Sequence, residues 1–214
     1  MSTMFLFRTP LMTQIAALCI GVSLAGAVLA QAPESVPEPA SEAAPKSNQP
    51  RVSIKTTMGE IVLELDQDKA PKTVANFLQY VKSGFYKGTI FHRVIDGFMI
   101  QAGGMDAKMV NKPTQKPIKN EASNGLHNGQ YTVAMARESA PDTATSQFFI
   151  NVAENTGLDY PNLGGGYAVF GKVVAGQDVV DKIKTVVVDD VHGQQNVPVV
   201  PIVITAATIV KNKK

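Results

Sequence analysis

The residues best suited to chemistry lie in one short stretch, from Phe91 to Gly104, which reads FHRVIDGFMIQAGG. Two β-type runs flank the pair Asp96-Gly97, which is a strong signal for a tight hairpin turn. The stretch carries Arg93, whose guanidinium is permanently charged and presents a rigid fork of donors. An arginine close to methionine and glutamine is unusual for a plain core strand and indicates a binding surface that is part polar and part apolar.

Strand periodicity assigns the side chains of this stretch to two faces. Because successive side chains of a strand point to opposite sides, Met99 and Gln101 are predicted to share one face. Phe98 is predicted to lie on the other face with Ile100. The face that carries Gln101 is therefore the candidate binding surface.

A second stretch, Gln147–Val152, repeats the same pairing of a glutamine with a large apolar residue. Alternation places Phe148 and Ile150 in the core, so Gln147 and Phe149 fall on the opposite face. The two stretches together predict a shallow apolar pocket bordered by an arginine and glutamines. The alternative, that Met99 and Phe149 simply pack beneath a helix, is equally compatible with the pattern.

The sequence lacks the usual motifs of metal sites, phosphate-binding loops and nucleophilic hydrolases. The three histidines, His92, His127 and His192, have no metal-ligand spacing with acidic residues. There is no Gly-x-Ser-x-Gly nucleophile motif, and the glycines 164–166 precede a strand-like run rather than a helix. We therefore predict no metal, no cofactor and no nucleophilic hydrolysis.

The elements that must position these residues are short strands with two helices. Apolar residues at helical spacing follow Pro71 up to Gly84, and a second helix is predicted over Gln177–Lys184. Met105–Leu126 is predicted to be a long surface loop. The predicted strands are Arg51–Thr56, Glu60–Asp66, Phe91–Ile95, Phe98–Gln101, Tyr131–Ala136, Gln147–Val152, Tyr167–Val174 and Val199–Val210. This order never alternates as βαβ, which favours a closed or sandwiched antiparallel sheet with the helices as lids.

The N-terminal segment differs from the rest of the chain. Residues 1–30 carry Arg8 as the only charge, then an apolar run that ends Val28-Leu29-Ala30. This order is typical of a secretory signal peptide cleaved after Ala30, and an uncleaved membrane anchor is the rival interpretation. Residues 31–50 are rich in Pro, Ala, Glu and Ser, so we expect a disordered tether before a folded domain over residues 51–212.

Charge and cysteine content limit the possible partners and compartment. The 214-residue chain has a formal charge of +2, and its Lys and Arg residues are scattered, so we expect no nucleic-acid binding. Cys19 lies in the apolar run, so the mature chain would contain no cysteine and tolerate an oxidising compartment. We predict a periplasmic monomer without stable membrane association after cleavage.

The two site stretches resemble the signature segments of cyclophilins, and Tyr167–Val173 resembles a third. The similarity extends over roughly residues 50–211, and Ala134–Arg137 with the exported N-terminus is similar to the bacterial periplasmic branch. The resemblance implies an eight-stranded antiparallel closed β-barrel capped by two α-helices. It also implies peptidyl-prolyl cis–trans isomerase activity on proline-containing unfolded or partly folded polypeptides, without a cofactor.

The resemblance also implies roles for individual residues. Arg93 corresponds to the catalytic arginine, with Gln101 as a second catalytic residue and Gln147 as a polar partner. The substrate-binding positions are Phe98, Met99, Phe149 and Leu158 for the proline ring, with Ala136, Arg137, Gln147 and Tyr167 around them. Arg137 replaces the usual asparagine and Tyr167 the usual histidine. Gly157 stands where many cyclophilins carry a tryptophan that contacts cyclosporin, which implies weak drug sensitivity.

Three rival interpretations remain at this point. Arg93 could be an ordinary surface residue in a salt bridge. The same barrel could hold proline-containing chains without catalysis, although the intact set of Arg93, Phe98, Gln101 and Phe149 favours catalysis. A ligand inside the barrel is disfavoured, because large inward residues such as Phe148 and Phe170 fill a small barrel.

Overall fold

The computed structural model describes residues 49–191 and 193–210. The predicted signal peptide, residues 31–48 of the predicted tether, His192 and residues 211–214 lie outside this part. Gln49 and Pro50, placed at the end of the tether from the sequence, contact the folded domain. The Pro50 carbonyl accepts a hydrogen bond from Leu65 N at 2.9 Å, and the Gln49 side chain bonds Asp68 at 2.7 Å.

Eight strands close into an antiparallel barrel in the order β1-β10-β3-β4-β6-β5-β7-β2. The barrel strands are β1 Arg51–Thr56, β2 Gly59–Leu65, β3 Thr89–Ile95, β4 Met99–Asp106, β5 Thr132–Met135, β6 Phe148–Asn151, β7 Val169–Ala175 and β10 Ile202–Val210. The fold predicted from the sequence is therefore confirmed. Closure joins the ends of the domain, because β1 pairs with β10 from Arg51↔Val210 onwards.

Two regular helices pack onto the barrel core. These are α1, Pro71–Lys82, and α3, Gln177–Lys184, and both match the predicted helices closely. Phe77 of α1 inserts between Phe148 and Phe170, with ring centroids 5.4 and 5.2 Å away. The core is therefore filled by side chains. Within the described ranges, no helix is both long and apolar enough to cross a membrane.

Short helical turns and one hairpin complete the domain. The turns are Ala122–Asn124, Pro141–Thr143, Thr156–Leu158 and α2, Asn162–Gly165. The hairpin consists of β8, Val188–Val191, and β9, Gln194–Pro198. It was not predicted, because its two strands are largely exposed and lack an alternating apolar face. The prediction of a surface loop over Met105–Leu126 is correct except at the start of the loop, where β4 continues to Asp106.

The alternation assigned in the sequence holds for most barrel residues and fails at Phe98. Phe148 and Ile150 belong to the inner core, whereas Met99 and Phe149 belong to a separate outer cluster. Phe98 was predicted to face inward with Ile100, but it packs against the outer cluster. The reason is that Phe98 precedes β4 in the turn, since Ile95 pairs directly with Met99, so strand alternation does not apply to it.

Candidate active site

The outer faces of β3, β4 and β6 bring the polar residues into one row. Arg93 of β3 pairs with Gln101 of β4, and Gln101 pairs with Phe149 of β6. The pairing of β3 with β4 shifts by one residue, because Phe91 pairs with Ala102 but Arg93 pairs with Gln101. Such a bulge re-aims the side chains beside it. Without this shift His92 would pair with Gln101, whereas with it Arg93 does.

A cavity of about 170 Å³ lies on this outer face. Nine of the ten residues proposed from the sequence line it: Arg93, Phe98, Met99, Gln101, Ala136, Arg137, Phe149, Leu158 and Tyr167. The tenth, Gln147, accepts a hydrogen bond from Gln101 Nε2 at 2.8 Å. Gln147 lines an adjoining polar cavity of about 300 Å³ together with Gln101, Ala136 and Arg137. The structure thus brings the whole proposed set together.

The floor of the 170 Å³ cavity is apolar. Met99, Phe149 and Leu158 are only 2%, 3% and 8% exposed, and all three belong to the outer cluster. They come from β4, β6 and the turn that follows β6, so three separate segments form one surface. The Phe149 and Tyr167 rings meet edge to face with centroids 5.7 Å apart, a favourable aromatic geometry.

Arg137 lines the cavity and hydrogen-bonds to the backbone around it. Its guanidinium donates to the carbonyls of Gly166, Glu138, Ser139 and Leu163 at 2.8–3.1 Å. The guanidinium carbon also lies 4.5 Å from the centroid of the Tyr167 ring, a cation–π contact. Arg137 therefore ties the segment after β5 to the α2 segment, in addition to lining the cavity.

His92 lies next to the site, although from the sequence it was weighed only as a possible metal ligand. It is 3% exposed, directly precedes Arg93, and lines a polar cleft of about 430 Å³ with Arg93, Gln101 and Gln147. Burial lowers the pKa of His92, and the Arg93 charge acts in the same direction. The imidazole is therefore neutral at pH 7 and adds no charge beside the guanidinium. In the sequence, only its position next to Arg93 indicated that His92 lies near the site.

The described part of the chain contains no group of three His, Cys, Asp or Glu side chains placed to hold a metal ion. The arrangement is instead that of a shallow binding site. One half-buried guanidinium and two linked amides stand beside an apolar floor.

A model of the family described as "Cyclophilin type peptidyl-prolyl cis-trans isomerase/CLD" matches residues 51–209. The chain belongs to this family. As a cyclophilin, it is 57% identical over 160 residues to Peptidyl-prolyl cis-trans isomerase A of Dickeya dadantii (strain 3937), covering 75% of this chain and 84% of that protein. It is 58% identical over 162 residues to Peptidyl-prolyl cis-trans isomerase cyp18 of Streptomyces antibioticus, covering 74% and 97%.

A solved cyclophilin has the same fold. The Cryptosporidium parvum cyclophilin cgd2_1660, crystallised in the presence of the dipeptide Ala-Pro, is 30% identical with a TM-score of 0.63. The match covers 76% of this chain and 99% of that chain. The family resemblance is confirmed, and the protein is a peptidyl-prolyl cis–trans isomerase that acts on proline-containing polypeptides.

Proposed function

We propose that this isomerase accelerates rotation about X–Pro bonds in exported polypeptides, with Arg93 as the catalytic residue of the 170 Å³ cavity. The observation that carries the proposal is the position of the Arg93 guanidinium beside an apolar floor made by Met99, Phe149 and Leu158. The cavity is several times larger than the roughly 30 Å³ that one water molecule occupies. It therefore has room for the five-membered proline ring.

The chemistry requires only that amide resonance be interrupted. Resonance sets a barrier of roughly 18–20 kcal/mol, so an X–Pro bond turns over tens to hundreds of seconds without a catalyst. No covalent bond is broken, and no nucleophile is required. In the twisted transition state the proline nitrogen becomes pyramidal and regains a lone pair that can accept a hydrogen bond.

Arg93 supplies a donor for that lone pair. A group that binds the twisted form better than the planar form lowers the barrier, because catalysis depends on differential binding. A hydrogen bond to a charged group contributes about 1.5–3 kcal/mol, which corresponds to roughly ten- to two-hundredfold in rate. Arginine suits the role better than lysine because its fork of donors is planar and rigid.

The remaining residues hold the peptide on either side of the twisting bond. Phe98, Met99, Phe149 and Leu158 anchor the ring while the preceding carbonyl swings. Gln101 and Gln147, linked at 2.8 Å, present amide groups to the peptide backbone. Ala136 N already donates to Gln147 O at 3.0 Å, so we assign the Ala136 carbonyl to the peptide. The crystallisation of the Cryptosporidium relative with Ala-Pro supports a proline-containing ligand.

We infer from the N-terminal sequence that the enzyme works in the periplasm. The charged start, apolar run and small residues of positions 1–30 support export followed by cleavage after Ala30. Unfolded and partly folded chains expose X–Pro bonds whose isomerisation limits folding. The proposed role is therefore to assist the folding of exported proteins.

Replacement of Arg93 by alanine tests the catalytic assignment. We expect the rate of X–Pro exchange to fall roughly ten- to two-hundredfold, because the donor to the proline nitrogen is lost. Peptide affinity is expected to stay within a few fold, because the ring anchors are unchanged. Exchange NMR line shapes of an X–Pro peptide report both quantities, and a protease-coupled isomer assay checks the rate.

Arg51→Ala is the matched control. The Arg51 side chain pairs with Glu64 at 2.7 Å on β1 and β2, and neither residue lines the 170 Å³ cavity. Its removal takes away the same charge and is expected to leave exchange unchanged. Near-normal exchange in Arg93→Ala would contradict the proposed mechanism.

A further inference from the structure

Asn155 occupies a junction behind the cavity and does not line it. It lies between β6 and the turn Thr156–Leu158 and is half-buried. Its backbone N–H donates to Asn128 O at 2.8 Å, and its carbonyl accepts from Leu158 N at 2.8 Å. Its side-chain Nδ2 donates to Phe98 O and to Asn151 Oδ1, each at 2.7 Å. One residue thus makes hydrogen bonds to four separate positions.

Two of these positions, Phe98 and Leu158, line the cavity. Phe98 lies in the turn between β3 and β4, and Leu158 lies in the turn after β6. Both are attached to Asn155, Phe98 through its carbonyl and Leu158 through its N–H. The Phe98 carbonyl also accepts from Val152 N at 3.0 Å. The position of Phe98 relative to Leu158 therefore depends on Asn155.

The other two positions anchor Asn155 to the barrel. Asn151 is fully buried at the end of β6, where it pairs with Met99. Its Nδ2 donates to Thr132 Oγ1 at 2.9 Å and to Asn128 Oδ1 at 3.2 Å. Buried amides of this kind are costly unless they are bonded, and a satisfied network fixes one arrangement. Asn155 is thus bonded to two fully buried residues, Asn128 and Asn151, on one side and to two cavity-lining residues on the other.

We propose that Asn155 is a positioning residue that sets the width of the proline-ring end of the cavity. It acts through Phe98 and Leu158, so its contribution is to substrate binding and not to the twisting step at Arg93. The ring keeps its shape while the X–Pro bond turns, so contacts to the ring bind planar and twisted forms equally. Loss of such uniform binding raises KM and leaves kcat unchanged. The inference rests on the proposed assignment of this cavity to proline.

Asn155→Asp is the most direct test, made in the full chain. The side chain keeps its shape, but the donor Nδ2 becomes a carboxylate oxygen that faces the Phe98 and Asn151 oxygens. We expect KM for an X–Pro peptide to rise roughly three- to tenfold, the effect of about one hydrogen bond. We expect kcat to change by less than about twofold, as for other losses of uniform binding. A purely structural role would reduce the folded fraction, which lowers the apparent kcat at constant KM.

Asn162→Asp is the control for added charge. Asn162 is exposed on the next segment and does not line the 170 Å³ cavity, and its amide donates to Thr156 O at 3.2 Å. It is expected to leave both constants unchanged. Should Asn155→Asp not fold, Asn155→Ser removes the same amide without adding charge and is expected to raise KM in the same way. An unchanged KM in the folded variant overturns the inference.

Phe98→Ala separates this inference from the proposed site itself. If Phe98→Ala raises KM and Asn155→Asp does not, the positioning role is wrong while the site assignment stands. If neither variant changes KM, the assignment of the cavity to proline fails as well. In the double variant, the effect of Asn155→Asp on KM is expected to shrink, because coupled residues do not add. Full additivity would contradict action through Phe98.

Discussion

At the scale of single residues, the shape of the cavity depends on side chains that hydrogen-bond to the protein segments around it. Arg137 and Asp159 are two such side chains. Arg137 stands where cyclophilins usually carry asparagine, and it bonds four backbone carbonyls along the rim. Asp159, next to Leu158, accepts from Asn128 N at 2.7 Å and from Asn128 Nδ2 at 2.9 Å. Its other oxygen contacts His127 Nδ1 at 3.0 Å. These contacts hold the segment that carries Leu158.

The Asp159 carboxylate predicts a loss of stability in acid. Burial alone would raise its pKa, but the hydrogen bonds from Asn128 and the contact with His127 outweigh burial and hold the pKa below its usual range. A carboxyl group whose pKa is lowered by folding stabilises the native state above its unfolded pKa of about 3.9. This contribution disappears as the pH falls below that value through the folded-state pKa.

Urea unfolding from pH 6 to pH 2.5 measures this contribution. Relative to the native protein, Asp159→Asn is expected to be less stable near pH 6. The difference between the two proteins is expected to shrink as the pH falls below about 4, because the native carboxylate becomes protonated. Other acidic residues affect both proteins alike, so the difference isolates Asp159. A difference that stays constant over this range would contradict the prediction.

At the scale of elements, β4 can pass closely beneath the Gln147 side chain because it carries two glycines. A Cβ on Gly103 would lie 2.8 Å from the Tyr86 ring and 3.0 Å from Ser146 O, and its φ of +87° disfavours other residues. A Cβ on Gly104 would lie 2.5 Å from Gln147 Cγ and Nε2. Gly104 therefore allows Gln147 to lie over β4 and bond Gln101, while Gly103 leaves room for Tyr86 and Ser146.

Gly104→Ala is expected to displace Gln147 while leaving the barrel intact. The atoms that an alanine methyl would meet belong to a flexible side chain, so Gln147 moves and its bond to Gln101 is lost. We expect kcat/KM to fall by roughly two- to tenfold, the effect of one hydrogen bond. Gly157→Ala, where a Cβ meets nothing within 4 Å, is the control. Unchanged kcat/KM in Gly104→Ala would show that the Gln147 position is irrelevant.

At the scale of the whole molecule, the described residues form a closed unit. β10 pairs with both β1 and β3, so the last strand of the domain joins the first to the strand that carries Arg93. The helices α1 and α3 contribute Phe77, Val180 and Ile183 to the same core. The site lies on the outer face, separated from that core by the sheet. Substrates can therefore bind without opening the barrel.

The N-terminal segment, residues 1–30, leads to a prediction about export. Expressed in a bacterium with a periplasm, the protein is expected to appear in the periplasmic fraction with Gln31 as its first residue. The physical reason is the apolar run that ends Val28-Leu29-Ala30, an arrangement typical of a cleaved signal peptide. Intact mass and N-terminal sequencing of the fractionated protein check this. Ala30→Arg is expected to block cleavage; an unprocessed native chain in the cytoplasm would contradict the prediction.

Much of the fold and about half of the site residues follow from local sequence pattern. Strand alternation separated Met99 and Phe149 from the inner core because the period of two depends only on backbone geometry. The two helices followed from apolar spacing and from Pro71. The other site residues required the resemblance, because alternation does not relate Leu158 or Tyr167 to Arg93.

Only the tertiary structure decided how these residues meet. The bulge that sets Arg93 opposite Gln101 depends on the pairing of two strands, so β3 alone carries no sign of it. Phe98 faces outward because the turn ends one residue later than the Asp96-Gly97 pair indicates. Asn155 bonds Phe98, 57 positions earlier in the chain, so its role depends on the pairing of β4 with β6. Local pattern determines which face a residue occupies, whereas long-range pairing determines what it touches.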